Sequence, residues 1–340
     1  MVSLRSMPEG FFVYQLQSLN IELQTKRKMT KNITIGLILT AIFILSSCTK
    51  PKTSSTTKPR LIFKYKMDST QARLNQFGVD TPMIAGHWGQ SPTFHVMGAH
   101  YIEFSQNAYT ALGAGAVLYT TPTTTAGGAA AIDFTKEAMG NSGDVFFSIP
   151  IDSLPALGLS YNTPYQYLRV SLAYQNYDVS FHMDTVLSGV HLVDDFPCTI
   201  ASFVGYNTYI PSYTIKTQTV NVGANKVQGY FGAEEPVSLP QYGFSHTYVQ
   251  TGVAANTTVV NPLFGTSAIP AGSCVVTAAF NPGSITITGN ETQDIVITVS
   301  LSINKSFEWI DYNGNHLWDA LSGEPVVDMG VRGMIPYVGH

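Results

Sequence analysis

The chain has 340 residues, of which 44% are hydrophobic and 12% charged, with a formal net charge of −4. Five of its 18 cations and two of its 22 acids precede Thr49, which leaves 13 against 20 beyond that point and a formal −7. So acidic a body excludes nucleic acid and an anionic membrane surface as electrostatic partners, since both require a basic patch. The charged fraction is about half the usual ~25%, and 18 Tyr with 18 Phe supply broad apolar faces for sheets. That is the composition of an extracytoplasmic β protein.

In chain order, residues 1–28 read as an extension upstream of a conventional start at Met29-Thr30-Lys31, and 29–47 as a signal segment. Its apolar run, Ile33–Leu45, is too short for a bilayer-spanning helix, which needs ~20 residues, and has the length of a secretory h-region. The ending Leu45-Ser46-Ser47-Cys48 resembles the lipobox of bacterial lipoproteins. That resemblance implies cleavage before Cys48 and a diacylglycerol on its sulfur; the alternative is an ordinary signal peptide followed by a chance cysteine. Residues 48–60 continue as a Lys/Ser/Thr/Pro tether with no large apolar side chain, too polar to order itself. Thr49 rather than Asp follows the cysteine, which favours the outer membrane as destination. The face of that membrane, periplasmic or external, stays open.

From residue 61 to 340 strand signals dominate. Phe63, Tyr65 and Met67 alternate with Lys64 and Lys66, a period of two. Further strands are expected at 94–104, 145–151, 167–181 (one long strand or a bulged pair), 199–206, 213–222, 226–231, 273–280, 284–288 and 294–303. Gly, Pro and Asn punctuate them at sandwich-like intervals. Long loops are expected at 119–131, 234–258 and 311–325. The expected fold is all-β: an antiparallel β-sandwich-type ectodomain, as one domain or as two packed β subdomains with a soft division near 188–195. A membrane β-barrel is the competing architecture, disfavoured by the irregular strand spacing.

Cys198 and Cys274 remain once Cys48 is set aside. In an oxidising compartment two thiols read first as a disulfide, closing a 77-residue loop and worth ~4 kcal/mol in the chain-entropy picture; two buried free thiols are the alternative. Near the C-terminus, Asp311, Asn313, Asn315, Leu317 and Asp319 occupy the alternating positions from which a curved loop presents oxygens to a hard cation, with Glu324 beyond. The stretch resembles the D-x-N-G-N-G-x-W-D-x-G-E loops of secreted bacterial β proteins, many of which bind calcium. His316 stands where those loops have glycine, and Glu324 falls two residues late. A calcium site of ~10⁻⁴–10⁻³ M affinity and an ion-free loop of Asx turns are the two readings. His87, His95, Met97 and His100 offer imidazole and thioether of the kind that suits Cu(I), although on one strand His100 faces away from His95 and Met97, so packing is the plainer reading. No hydrolase elbow, metalloprotease helix, phosphate loop or dinucleotide fingerprint is present. The acids Glu103, Asp133, Asp178, Glu234 and Glu235 are scattered.

Three stretches, HYIEFSQNAYTALGAGAVLY (100–119), LRVSLAYQNYDVSF (168–181) and FEWIDYNGNHLWDALSGEPVVDMGVRGMIP (307–336), together resemble a family of Bacteroidota outer-membrane lipoproteins with no assigned activity. A fainter likeness links 94–104 and 145–181 to MbnP-like periplasmic proteins, a β-rich group associated with copper handling. The expectation is a lipid-anchored envelope protein acting as a non-catalytic binding or structural module. A periplasmic copper-handling protein and a polysaccharide-acting enzyme are the alternatives.

Overall fold

The alternation in Arg60–Asp68 (β1) places Leu61, Phe63 and Tyr65 in the interior and leaves Lys64 and Lys66 nearer solvent. Ile295–Ser302 (β18) buries Ile295, Ile297, Val299 and Leu301 in the same manner and lies parallel to β1, Leu61 opposite Ile295 through Asp68 opposite Ser302. Each such side chain contributes roughly 1.5–3 kcal/mol when fully buried. The computed structural model describes residues 58–187, 190–254, 261–266 and 271–339. The upstream extension, the signal segment, Cys48 and the tether as far as residue 57 lie outside the described residues, as do 188–189 of the proposed soft division. Among the described residues, no helix is long and apolar enough to cross a membrane.

Among the described residues, twenty-one strands, numbered in chain order, make an all-β fold. The first sheet runs β21 (Met334–Gly339), β18, β1, β8 (Val145–Pro150). The second has eight strands, with the path β15 (Phe244–Val253), β14 (Tyr230–Leu239), β11 (Val190–Phe203), β10 (Tyr167–Leu187), β3 (Thr93–Ser105), β4 (Ala116–Thr120). Here β16 (Cys274–Ala279) also pairs β10, and β7 (Ala138–Gly140) also pairs β3. These two sheets share one continuous apolar core, in which Phe63 and Ile297 of the first meet Phe104, Leu168 and Phe280 from the side of the second. The arrangement is a sandwich-type fold. A third sheet, β13 (Thr219–Lys226), β12 (Thr208–Thr214), β6 (Ala131–Asp133), β5 (Thr123–Thr124), covers the opposite face of the second. It does so through a smaller core of Phe203, Tyr174, Ile210, Tyr213 and Tyr230. Strand β11 shows why both faces are covered: Phe196, Cys198 and Ile200 enter the main core while Ala201 and Phe203 enter the smaller one. Two small sheets, β9 (Pro164–Tyr165) with β17 (Ile285–Thr286) and β2 (His87–Gln90) with β19 (Phe307–Ile310) and β20 (Val326–Met329), complete the molecule.

The expected strand at 167–181 is one 21-residue strand with a bulge inside it. Leu168, Val170 and Leu172 face the main core, Tyr174 faces the other side, and Tyr177, Val179, Phe181 and Met183 return to the main core. An extra residue reverses the two-residue alternation, and the register shift against β3 between Leu172 and Tyr174, which leaves Ala173 without a partner on β3, supplies the reversal. On the other edge of β10 the partner changes at the same point, from β16 along Tyr167–Leu172 to β11 from Tyr174 onward. The carbonyl of Ala173 accepts the N–H groups of Val204 and Gly205 at this junction. A Cβ on Gly205 would stand 3.1 Å from the Ala173 Cα, so a side chain there would press on the β10 backbone.

Several expectations change here. The loop expected at 234–258 is largely the hairpin β14–β15, ten pairs in unbroken register from Tyr230–Val253 to Leu239–Phe244. Its strand signal was masked by Glu234, Glu235 and Pro236. The two acids find partners inside, and Pro236 lies beyond the stretch that pairs β11, where a missing N–H is tolerated. The strand expected at 213–222 straddles the turn between β12 and β13. The disulfide is overturned: Cys198 and Cys274 are both free. Cys198 stands in register with Val179 and Cys274 with Leu172, on the same strand seven residues apart. At strand rise that is about 20 Å, whereas a bridge requires Cα atoms within about 7 Å.

Candidate functional site

The junction along β10 leaves a pocket of about 160 Å³, of the order that holds one benzene-sized molecule. Its apolar wall is Leu74, Phe203, Val204, Val276 and Met329, and Cys274, Ser202, Gln228, Asp328 and Arg332 supply polar atoms. Gln228 is buried; its amide Nε2 donates to the Val204 carbonyl at 2.8 Å, while its Oε1 has no hydrogen-bond partner among the described residues. A buried acceptor left unmade costs roughly 1–3 kcal/mol. Burial, then the Asp328 carboxylate, pushes the Cys274 thiol up to about 12. It is a protonated wall group at neutral pH and no nucleophile.

The floor is fixed by charge. Glu308 of β19 accepts from Arg73 and Arg332 on Oε2 and lies 2.6 Å from His87 Nδ1 on Oε1. Arg332 also meets Asp328 at 2.8 Å. Burial alone would raise the Glu308 carboxyl, but His87, Arg332 and Arg73 hold it below its usual range. Burial prevails at Asp328 and raises it, against Arg332 and the Gly330 N–H. Two guanidinium groups against two carboxyls balance, so the cluster fastens the 328–333 turn rather than presenting a free charge. From β10, Tyr177 OH (3.0 Å) and Gln175 donate to the Met329 carbonyl.

The loop at 311–324 is built of Asx turns. Asp311 accepts from the N–H groups of Gly314 (2.8 Å) and His316 (3.2 Å), Asn313 from Asn315 (2.9 Å), and Asn315 from Leu317 (2.8 Å). The amide nitrogens of Asn313 and Asn315 both point to Asp319 Oδ2, at 2.6 and 2.8 Å. Buried Glu324 accepts the N–H groups of Tyr312 and Asp319, each at 2.9 Å. Its carboxyl is raised, first by burial and then also by Asp319 and Asp311 nearby. His316 takes the left-handed backbone (φ 68°) that glycine would occupy and stacks on Trp88 at 3.7 Å, whose ring also carries the Lys305 ammonium at 3.6 Å.

The histidines and methionine of the copper reading are dispersed. His87 is on Glu308, His95 Nε2 is 3.0 Å from Asp178, and Met97 is core. His100 is enclosed and held down to about 4 by burial. Among the described residues, no group of three or more His, Cys, Asp or Glu is arranged to hold a metal ion. The scattered acids each have a local task. Glu103 meets Arg169 inside the protein (3.4 Å) and accepts the Gly113 and Gly115 N–H groups. Asp133 caps the turn at Phe134–Lys136. Asp178 holds Thr199 and Lys216. Glu234 receives three N–H groups from 216–218, and Glu235 meets Gln250. The pocket residues Gln228, Asp328 and Arg332 carry no sequence signal, because only the partner change along β10 brings them together. No protein-family model, curated protein or solved structure matches the chain.

Proposed function

We propose that this chain is a lipid-anchored outer-membrane protein whose β body binds, without transforming it, one small apolar molecule carrying a hydrogen-bond donor. The lipobox-like Leu45–Cys48 and the polar tether support the anchor. Gln228, which lines the pocket and whose buried Oε1 has no hydrogen-bond partner among the described residues, is the observation that carries the binding reading. Phenol-sized alcohols and amines are the probes, titrated calorimetrically against wild type and Gln228→Leu. Binding by wild type and at least tenfold weaker binding by the variant, about 1.4 kcal/mol, is the expected result; equal affinities, or none, remove the pocket. For the anchor, mass spectrometry of the mature amino terminus should find a diacylglycerol thioether on Cys48, and a bare sulfur removes it.

Calcium at the 311–324 loop is a second reading, favoured by Asp319 and Asp311 each lying near enough to Glu324 to raise its carboxyl, though the three are not arranged as a ready metal site. Asp311, Asn313, Asn315, Asp319 and Glu324 would supply side-chain oxygens and Leu317 its carbonyl. Millimolar calcium should then raise the melting temperature relative to chelator, and Asp319→Asn should abolish the rise. No shift in wild type ends this reading.

A further inference from the structure

We infer that Phe134–Gly140 is a flap, latched while the Glu137 carboxyl is neutral and released when it ionises, so that the smaller aromatic core is uncovered. The segment is the crossing from the third sheet to the second: β6 before it pairs β12 and β5, and β7 within it pairs β3. Glu137 stands between them at 8% exposure, and both of its carboxyl oxygens are buried without a hydrogen-bond partner among the described residues. A Cβ on Gly98 would stand 2.9 Å from Glu137 Oε2 and 3.3 Å from the Tyr174 Cβ. The carboxyl therefore lies over the one β3 residue that has no side chain, beside β10. Buried polar groups are partnered almost without exception, and a buried carboxylate with neither cation nor donor costs far more than the neutral acid.

The groups around it offer no relief. Burial first, then the like-signed Asp133 of β6, hold this carboxyl well above its usual range. Tyr174 of β10, Tyr119 of β4 and Tyr65 of β1 sense it as phenols that burial keeps protonated. On β3, His100 is enclosed and held down to about 4, so it is uncharged near neutrality, and His95 meets Asp178 at 3.0 Å. Lys136, the adjacent cation, is exposed. A carboxyl raised in the fold stabilises it fully below the unfolded value, near 4.5, and ceases to as the pH climbs through the folded one. Release is on the alkaline side. The flap is the element that can yield. It is tied by the pairs Met97–Gly140, Gly98–Met139 and Ala99–Ala138, by the Tyr119 hydroxyl on the Lys136 carbonyl, and by the Phe134 ring, edge-on to Tyr174 and Phe203 at 5.1 Å. Strand β10, by contrast, is paired along both edges.

Hydrogen exchange of the full chain, read by mass spectrometry as protection factors that remove the intrinsic pH dependence of exchange, tests this from about pH 6 to about pH 9, where buried glutamates ionise. In wild type the amides of 134–140 should lose protection at least tenfold across that range, while those of β10 and β11 keep theirs. Glu137→Gln, which cannot ionise, should be equally protected at both ends. Glu137→Leu takes its place if the glutamine variant misfolds, and should be as flat. Protection independent of pH in wild type, an equal loss in the uncharged variants, or a loss shared by β10 and β11 would each overturn the inference.

Discussion

Glu235 sits in β14 at 5% exposure and is pushed up to about 7 by burial, with Gln250 pulling the other way. A carboxyl whose folded value is raised stabilises the fold below its unfolded value, near 4.5, and loses that contribution as the pH climbs to about 7. The loss is about 3 kcal/mol at 1.36 per pH unit. Urea unfolding from pH 4.5 to 8 should show that decline in wild type and a shallower one in Glu235→Gln. Arg169 and Glu103, both fully enclosed, give a second test. Arg169 also donates to the Ala108 carbonyl at 2.9 Å, so the pair ties down the loop before β4. Removing one partner strands the other; Arg169→Met should cost about 3–5 kcal/mol, and Arg169→Met with Glu103→Leu much less than twice that. Denaturant midpoints of the two variants decide it.

At the level of elements, the β12–β13 turn depends on one carboxylate. Glu234 lies on the neighbouring β14 yet accepts the N–H groups of Lys216, Thr217 and Gln218, at 2.9–3.0 Å, and the Thr217 hydroxyl. Burial would raise this carboxyl, but those donors hold it below its usual range. Glu234→Ala should cost about 3 kcal/mol and expose the 216–218 amides to hydrogen exchange before the rest of the sheet. This contact also shows where reading the sequence stops. Strands with a plain two-residue period, such as Leu61–Tyr65 and Ile295–Leu301, were legible because one face is buried along their whole length. β14 was not, because Glu234 is satisfied by a turn some sixteen residues earlier in the chain and Glu235 by Gln250 on the next strand, pairings that spacing does not encode. The interior of β10 was legible as a strand but not as a reversal, since Tyr174 and Tyr177 are equally apolar whichever way they point. The pocket inherits that difficulty: its walls meet only where β10 changes partner. The 311–324 loop was visible because its Asx turns are local.

For the whole molecule, the separation of Cys198 from Cys274 along β10 means that covalent closure plays no part in stability. The melting temperature should be the same with and without reductant, and alkylation after unfolding should label both thiols. The position of β1 has a mechanical consequence. This strand is held between β18 on one side and β8 on the other, with eight parallel partners from Leu61 to Asp68 on the β18 side. A pull arriving through the amino-terminal side of Arg60 therefore acts along the strand axis. It strains those rungs in shear, all at once, where a peripheral strand would unzip one rung at a time. The body is consequently hardest to unravel from its amino-terminal side.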